Sequence, residues 1–162
     1  MKIRSYSSED RDQVITLWQN VFSDDSPHNE PSKVIDAKLA IDELLFVAED
    51  NNVIIGTAMA GYDGHRGWLY SVAVDPQQRR KGIGQQLVKH AMQALKVVGC
   101  VKVNLQIRST NNQVVSFYES IGFVSEDRIS MGKLIDPYRS YDSSHTLVTV
   151  PSDEDARRAV SH

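Results

Sequence analysis

One cysteine in 162 residues, Cys100, leaves no partner for an intramolecular disulfide and no second thiolate for a zinc site, which usually draws on two to four. Extracellular stapled folds are excluded. Long apolar runs are missing too: the longest, Val53 to Gly61, is far short of the ~20 residues that cross a bilayer, so no membrane partner is expected. The opening MKIRSYSSEDRDQ puts charges where a secretory leader needs an apolar run, which predicts a cytoplasmic protein. His28, His65, His90, His145 and His162 show neither an i, i+4 pair nor H-E-x-x-H spacing, so no metal is expected. No G-x-S-x-G occurs, which removes the commonest serine hydrolase, and Cys100, just before a strand, reads as a small buried hydrophobe.

What is present is an ordinary globular balance, 41% hydrophobic and 24% charged, enough to bury a core. The formal charge of −3 is too acidic for a generic nucleic-acid binder, but it is unevenly spread. Asp75 to Arg108 holds seven basic side chains and one acid, a net +6, which leaves −9 for the remainder. One segment is built to meet an anion, although scattered lysines such as Lys89 and Lys96 suit a plain solvated helix face equally well.

Residues 2–6 alternate as a short strand, and Ser7 or Ser8 before Glu9 and Asp10 signals a helix start. Val14, Leu17, Trp18 and Val21 then recur at helical spacing, 23–32 reads as loop, and a second amphipathic helix contains Val34, Ile35 and Leu39. Residues 44–48 and 53–62 are strands joined by the turn 49–52, and Trp68 to Val74 is a third strand stopped by Asp75-Pro76. Ile83, Leu87, Ala91, Leu95 and Val98 share one helical face closed by Gly99. Val101 to Ile107 follows as a strand, then a helix capped at Asn111-Asn112 and closed by Gly122, and then a strand pair at 123–124 and 128–134. The order β, α, α, β, β, β, α, β, α, β, β predicts an α+β fold: a mostly antiparallel central sheet, helices on both faces, and a parallel βαβ crossover. Residues 1–135 form the expected domain, and 136–162 a polar tail that is either disordered or adds an edge strand at Leu147 to Val150.

The segment richest in chemistry is Val74-Asp75-Pro76-Gln77-Gln78-Arg79-Arg80-Lys81-Gly82-Ile83-Gly84, a strand end, a proline stop, a basic turn and two glycines opening a helix. Glycines there let the backbone approach a ligand closely, and the first helical N–H groups and dipole end favour a phosphate or pyrophosphate. A dinucleotide loop would place a third glycine where Leu87 stands, and the P-loop pattern G-x-x-x-x-G-K-[ST] is never spelled.

Arg79-x-x-Gly82-x-Gly84 after Val74-Asp75-Pro76 resembles the acyl-coenzyme-A signature of the GNAT N-acetyltransferase superfamily. The resemblance extends over residues 1–135, because the element order matches and Asn111 with Phe117-Tyr118-Glu119-Ser120-Ile121-Gly122-Phe123 is similar to the family's C-terminal motif. Gly61-Tyr62-Asp63-Gly64-His65-Arg66-Gly67 is similar to the small bacterial YpeA-like members. The resemblance implies acetyl-CoA as co-substrate, with Val72 and Val74 pairing to its pantetheine arm and the amides of Arg79, Arg80, Lys81, Gly82, Ile83, Gly84 and Gln85 holding its pyrophosphate. It places Asn111 beside the pantetheine or substrate, a role compatible with plain helix capping. Tyr118 matches the tyrosine that gives a proton to the departing thiolate, while its spacing to Val114 and Ile121 also suits a core aromatic.

An amine with a lysine-type pKa of ~10.4 must lose a proton before it attacks, so a base or water chain is needed. Glu49 is the candidate taken here. Asp63 and Tyr70 are the others, and Tyr70 stands where many members carry a carboxylate. The expected function is acetyl transfer to a small-molecule or peptide amine by direct attack in a ternary complex. A non-catalytic acyl-CoA-binding regulatory module, or a nucleotide-binding regulatory domain, would use the same helix start. A homodimer is left open.

Overall fold

The computed structural model describes residues 1–23 and 26–135. Among these the elements run β1 (Lys2–Ser5), α1 (Arg11–Val21), α2 (Pro31–Leu39), β2 (Leu45–Asp50), β3 (Val53–Tyr62), β4 (Gly67–Val74), α3 (Ile83–Val97), β5 (Val103–Asn104) and α4 (Asn112–Ser120). Short 3-10 turns at Ser8–Asp10, Pro27–Asn29 and Pro76–Gln78 lead into them. The expected tail, including 147–150, lies outside the described residues.

Local chemistry accounts for the boundaries. The Ser7 amide donates to Asp10 at 2.8 Å before α1, and Pro31 takes the first helical position of α2, where its missing N–H costs nothing. Gly99 (φ 91°) follows the end of α3, its left-handed backbone ending the helix. Asn51 and Asn52, at φ 50° and 63°, form the tight turn between β2 and β3, with both residues left-handed as type I′ requires.

The sheet has the order β1-β2-β3-β4-β5, antiparallel through β4 and parallel between β4 and β5. On one face α3 lays Ile83, Leu87, Ala91 and Leu95 against Phe46, Ala48, Ile55 and Leu69, with Tyr118 of α4 in the same cluster. On the other, Val14, Leu17 and Trp18 of α1 and Ile35 of α2 cover Leu45, Val47, Met59 and Ala73. Each fully buried leucine or isoleucine of these faces contributes roughly 1.5–3 kcal/mol. The approach of α3 depends on Gly56, where an added Cβ would stand 2.9 Å from both the Ala73 carbonyl oxygen and Leu87 Cδ1.

Two expectations are corrected. The strand read over 101–107 pairs only at Val103 and Asn104, and the final strand pair does not form among the described residues. After Asn104 no ladder continues among the described residues. Residues 124–130 are instead tethered through side chains, Lys102 to Glu126 and Gln106 Nε2 to Ser130 Oγ at 2.7 Å. Both contacts link residues 24 apart, so this segment runs alongside 102–106 in the same direction. Val124, Ile129 and Met131 bury no face and stay exposed, which removes the packing that stabilises a half-buried strand.

Candidate active site

Strands β4 and β5 meet only at Gly67↔Val103 and Trp68↔Asn104, so among the described residues the edge of β4 that faces β5 has no strand beside it beyond Trp68. The divergence forms part of a cleft of about 1160 Å³, lined there by Leu69 to Val72 and Leu105 to Arg108 and continuing past the end of α1 and the start of α2 at Trp18, Phe22, Glu30 and Val34. Asn111, Val114 and Tyr118 of the α4 region close it.

The β4 wall is irregular. Thr57 pairs with Ala73 and Met59 with Tyr70, two steps on β3 against three on β4, which makes one residue of β4 a bulge. Ser71 has φ 44°, the left-handed region, and its carbonyl oxygen accepts from Thr57 Oγ1 at 2.9 Å. In a planar trans peptide the carbonyl and the following N–H point in opposite directions. With the Ser71 carbonyl turned toward β3, the Val72 N–H is directed to the cleft side.

At the far end of β4, Asp75 Oδ1 accepts from the Gln77 amide at 2.9 Å and shapes the turn that carries Arg79, Arg80 and Lys81. Arg80 (φ 63°) and Gly82 (φ 76°) are both left-handed, an alternation that turns successive amides toward one point, as anion-binding nests do. The first bond of α3 is donated by Gln86 to the Gly82 carbonyl at 3.1 Å, so the amides of Ile83, Gly84 and Gln85 precede it and project with the positive end of the helix. A Cβ on Gly82 would find only Gln86 Nε2 within 4 Å, at 3.9 Å, which leaves the mouth of this loop open to a ligand. Three exposed cations stand around it, with Lys81 Nζ held by Gln78 Oε1 at 2.8 Å.

Tyr118 is buried, and that burial pushes its hydroxyl up to about 12. Its ring meets Phe117 and Phe123 edge to face, with centroids 4.9 and 5.3 Å away. Asn111 caps α4, its Oδ1 accepting from the Val114 amide at 3.3 Å, and also lines the cleft. Val72, Asn111 and Tyr118 therefore converge on one space, with Val74 and the 79–85 loop continuing along the strand.

The structure places Glu49 elsewhere. It is the penultimate residue of β2, accepts from Arg4 Nε at 2.7 Å and lies 3.3 Å from Lys2 Nζ, and Arg4 also forks onto Asp10 at 2.7 and 2.8 Å. The hydrogen bond from Arg4 holds the Glu49 carboxyl below the usual range, and Glu49 is not among the cleft-lining residues. Asp63 is likewise committed, to the amides of Arg66 at 2.6 Å and His65 at 2.8 Å, which keep its carboxyl low. Tyr70 does line the cleft, with its hydroxyl pushed up by burial and by the charge of Asp63.

Sequence reasoning missed Glu30 as a lining residue. Its carboxylate caps α2 through the Ser32 and Lys33 amides, both at 3.1 Å, and the Ser32 hydroxyl at 2.6 Å, contacts that hold it ionised. An acid just before a proline at a helix start was the available signal. Among the described residues no group of three or more His, Cys, Asp or Glu could hold a metal, and no helix is long and apolar enough to cross a membrane.

Residues 11–123 match the acetyltransferase (GNAT) family. An acetyltransferase of Yersinia pestis (strain Pestoides F) is 38% identical over 134 residues, covering 82% of this chain and 94% of that protein. The fold superposes on the aminoglycoside antibiotic 6′-N-acetyltransferase of Acinetobacter haemolyticus with a TM-score of 0.69 at 21% identity, over 84% of this chain and all of that one. A PaiA N-acetyltransferase of Thermoplasma acidophilum, solved in complex with coenzyme A, gives 0.68 at 20% identity over 79% of this chain and 92% of its own. With the match spanning both the basic glycine turn and the Phe117-Tyr118 helix, the chain belongs to the GNAT acetyltransferase family.

Proposed function

We propose that this protein, in the cytoplasm, transfers the acetyl group of acetyl-coenzyme A to an amine by direct attack within a ternary complex. The observation that carries the reading is the divergence of β4 from β5, which leaves a strand edge, unpaired among the described residues, running from the Tyr118 hydroxyl region to the open basic turn at 79–85. The residues present suit the co-substrate. The amides of Ile83, Gly84 and Gln85 and the surrounding cations match a pyrophosphate, and the free edge at Val72 and Val74 matches an amide-bearing arm lying beside it as an extra strand. Asn111 supports that arm from α4.

Acetyl-coenzyme A supplies an activated thioester carbonyl. The Val72 N–H is aimed at the cleft, where a fixed donor stabilises negative charge developing on a carbonyl oxygen. Tyr118, protonated throughout the neutral range because burial raises its hydroxyl, is suited to give a proton to a departing thiolate. With Glu49 and Asp63 tied into ion pairs and turns, the proton of the incoming ammonium leaves through water in the open cleft. The ionised Glu30 favours a cationic group on the acceptor side, consistent with a small-molecule or peptide amine.

The test is a screen of acetyl-coenzyme A with amino acids, polyamines, aminoglycosides and peptide N-termini, alongside thermal shift with the same ligand. Transfer to at least one class and a raised melting temperature are expected. Ligand at about 100 times its Kd stabilises a fold by ~2.7 kcal/mol, so the absence of any shift at millimolar acetyl-coenzyme A overturns the reading. A shift without transfer to any amine replaces it with the binding-module alternative.

A further inference from the structure

The bulge that directs the Val72 amide is held from the core of the molecule. Trp18 Nε1 of α1 donates to Thr57 Oγ1 at 2.8 Å, and Thr57 Oγ1 donates to the Ser71 carbonyl at 2.9 Å. Trp18 is 3% exposed and Thr57 0%, in a cluster otherwise built from Val14, Leu17, Ile35, Leu45, Val47, Ile54, Met59 and Ala73. Packing alone gives no reason for a hydroxyl there, since valine has nearly the same shape. A hydroxyl carries one proton, and here it goes to the carbonyl of the single residue of β4 with a left-handed φ. The Trp18 N–H then satisfies the Thr57 oxygen and fixes the direction in which that proton points.

The bulge also decides which face of the sheet each side chain takes. Leu69 and Val72 both pack toward α3, while Met59, the partner of Tyr70, and Ala73 lie in the α1 cluster. In an unbroken strand, residues three apart face opposite ways. One extra residue restores the alternation, and its conformation is one that β-strand residues seldom adopt without an outside restraint.

We infer that Trp18 and Thr57 form a buried hydrogen-bond relay that sets the Ser71–Val72 peptide, and are positioning residues for acetyl transfer although neither supplies chemistry to it. The inference rests on the proposed activity for its kinetic consequence. Its structural half, that the relay fixes this peptide, stands on the hydrogen bonds alone.

The test uses the full chain and Thr57→Val, which keeps the shape and removes the hydroxyl, with Thr57→Ser to return the hydroxyl without the methyl group. In the protein without ligand, the Thr57 hydroxyl proton is expected to exchange slowly enough to be seen by NMR. Thr57→Val is expected to shift the Ser71 and Val72 amide resonances, and Thr57→Ser to move them back. With the amine that the parent acetylates fastest, Thr57→Val is expected to lower kcat about 10–100-fold, with the KM for acetyl-coenzyme A within about twofold, because a reacting group is misaimed while the ligand still binds. Thr57→Ser recovers most of that loss.

A Thr57→Val protein with parent kcat and unshifted Ser71 and Val72 resonances overturns the relay. So does a Thr57→Ser protein as impaired as Thr57→Val, because the defect then follows packing. If Thr57→Val does not fold, the hydroxyl proton of the parent decides: slow exchange supports the relay and fast exchange overturns it. If the parent transfers acetyl to no amine, the proposed activity falls, and the resonances decide the relay by themselves.

Discussion

Phe117 lies over Gly84: a Cβ built on that glycine would stand 3.3 Å from Phe117 Cζ and 3.6 Å from Val74 Cγ2. The helix that carries Tyr118, the strand that would receive the pantetheine arm and the amides that would hold the pyrophosphate thus meet at one missing side chain. Since the Phe117 and Tyr118 rings are 4.9 Å apart and edge to face, a push on the first moves the second.

That contact separates two substitutions at one position. Gly84→Ala needs Phe117 to yield by a few tenths of an ångström and gains helix propensity of ~1 kcal/mol, so melting temperature should hold or rise and turnover stay within about threefold. Gly84→Leu has no room, and the displaced Phe117 should carry Tyr118 with it, lowering turnover at least about tenfold. Paired melts and steady-state rates decide, and parent kinetics in Gly84→Leu would show that the two helices do not communicate here.

Gly82 is required by its backbone rather than by crowding. Its φ of 76° is strained for a β-branched residue by roughly 1–2 kcal/mol, and the side chain would enter the open mouth of the turn. Gly82→Val should fold with a modestly lower melting temperature and lose measurable affinity for coenzyme A by calorimetry. Unaltered affinity would move the pyrophosphate elsewhere.

Glu49 offers a test by pH. Its folded carboxyl is held below the usual ~4.3 by the Arg4 hydrogen bond, so the ionised form stabilises the fold fully above that value and the contribution is lost as pH falls through the folded value. Glu49→Gln should therefore melt lower than the parent at pH 7, with the gap closing in acid, and retain neutral-pH turnover within about twofold. A loss of turnover of about a hundredfold at unchanged melting temperature would restore Glu49 as the base.

Much of the fold was legible because it rests on local signals. The Ile83, Leu87, Ala91 and Leu95 stripe, the Asn51-Asn52 turn and the closing Gly99 and Gly122 each act through their own backbone or face. The end of the sheet was not legible, because an alternating run such as 128–134 becomes a strand only beside a partner edge, and among the described residues no ladder continues past Asn104. For the same reason Trp18 read as one more member of an apolar stripe, since its N–H finds its partner 39 residues away. Ser71 carried no glycine to mark the bulge, and Glu49 looked available only because Arg4, which reaches it from the neighbouring strand β1, is 45 residues distant in sequence.

Tyr118→Phe distinguishes chemistry from packing at the centre of the cleft. The change removes one hydroxyl and keeps the ring that meets Phe117 and Phe123, so melting temperature and coenzyme A affinity should stay close to the parent. A lost general acid typically costs ~10²–10⁴ in rate, and that fall should appear in kcat with the KM for acetyl-coenzyme A little changed. The pH profile supplies an independent check. With the hydroxyl pushed up to about 12, Tyr118 stays protonated far above neutrality, so the parent rate should rise with pH as the acceptor amine loses its proton and then hold level through about pH 10. Tyr118→Phe should lower that whole curve without reshaping it. Turnover equal to the parent in Tyr118→Phe would make the tyrosine a core aromatic and leave the departing thiolate to be protonated by water.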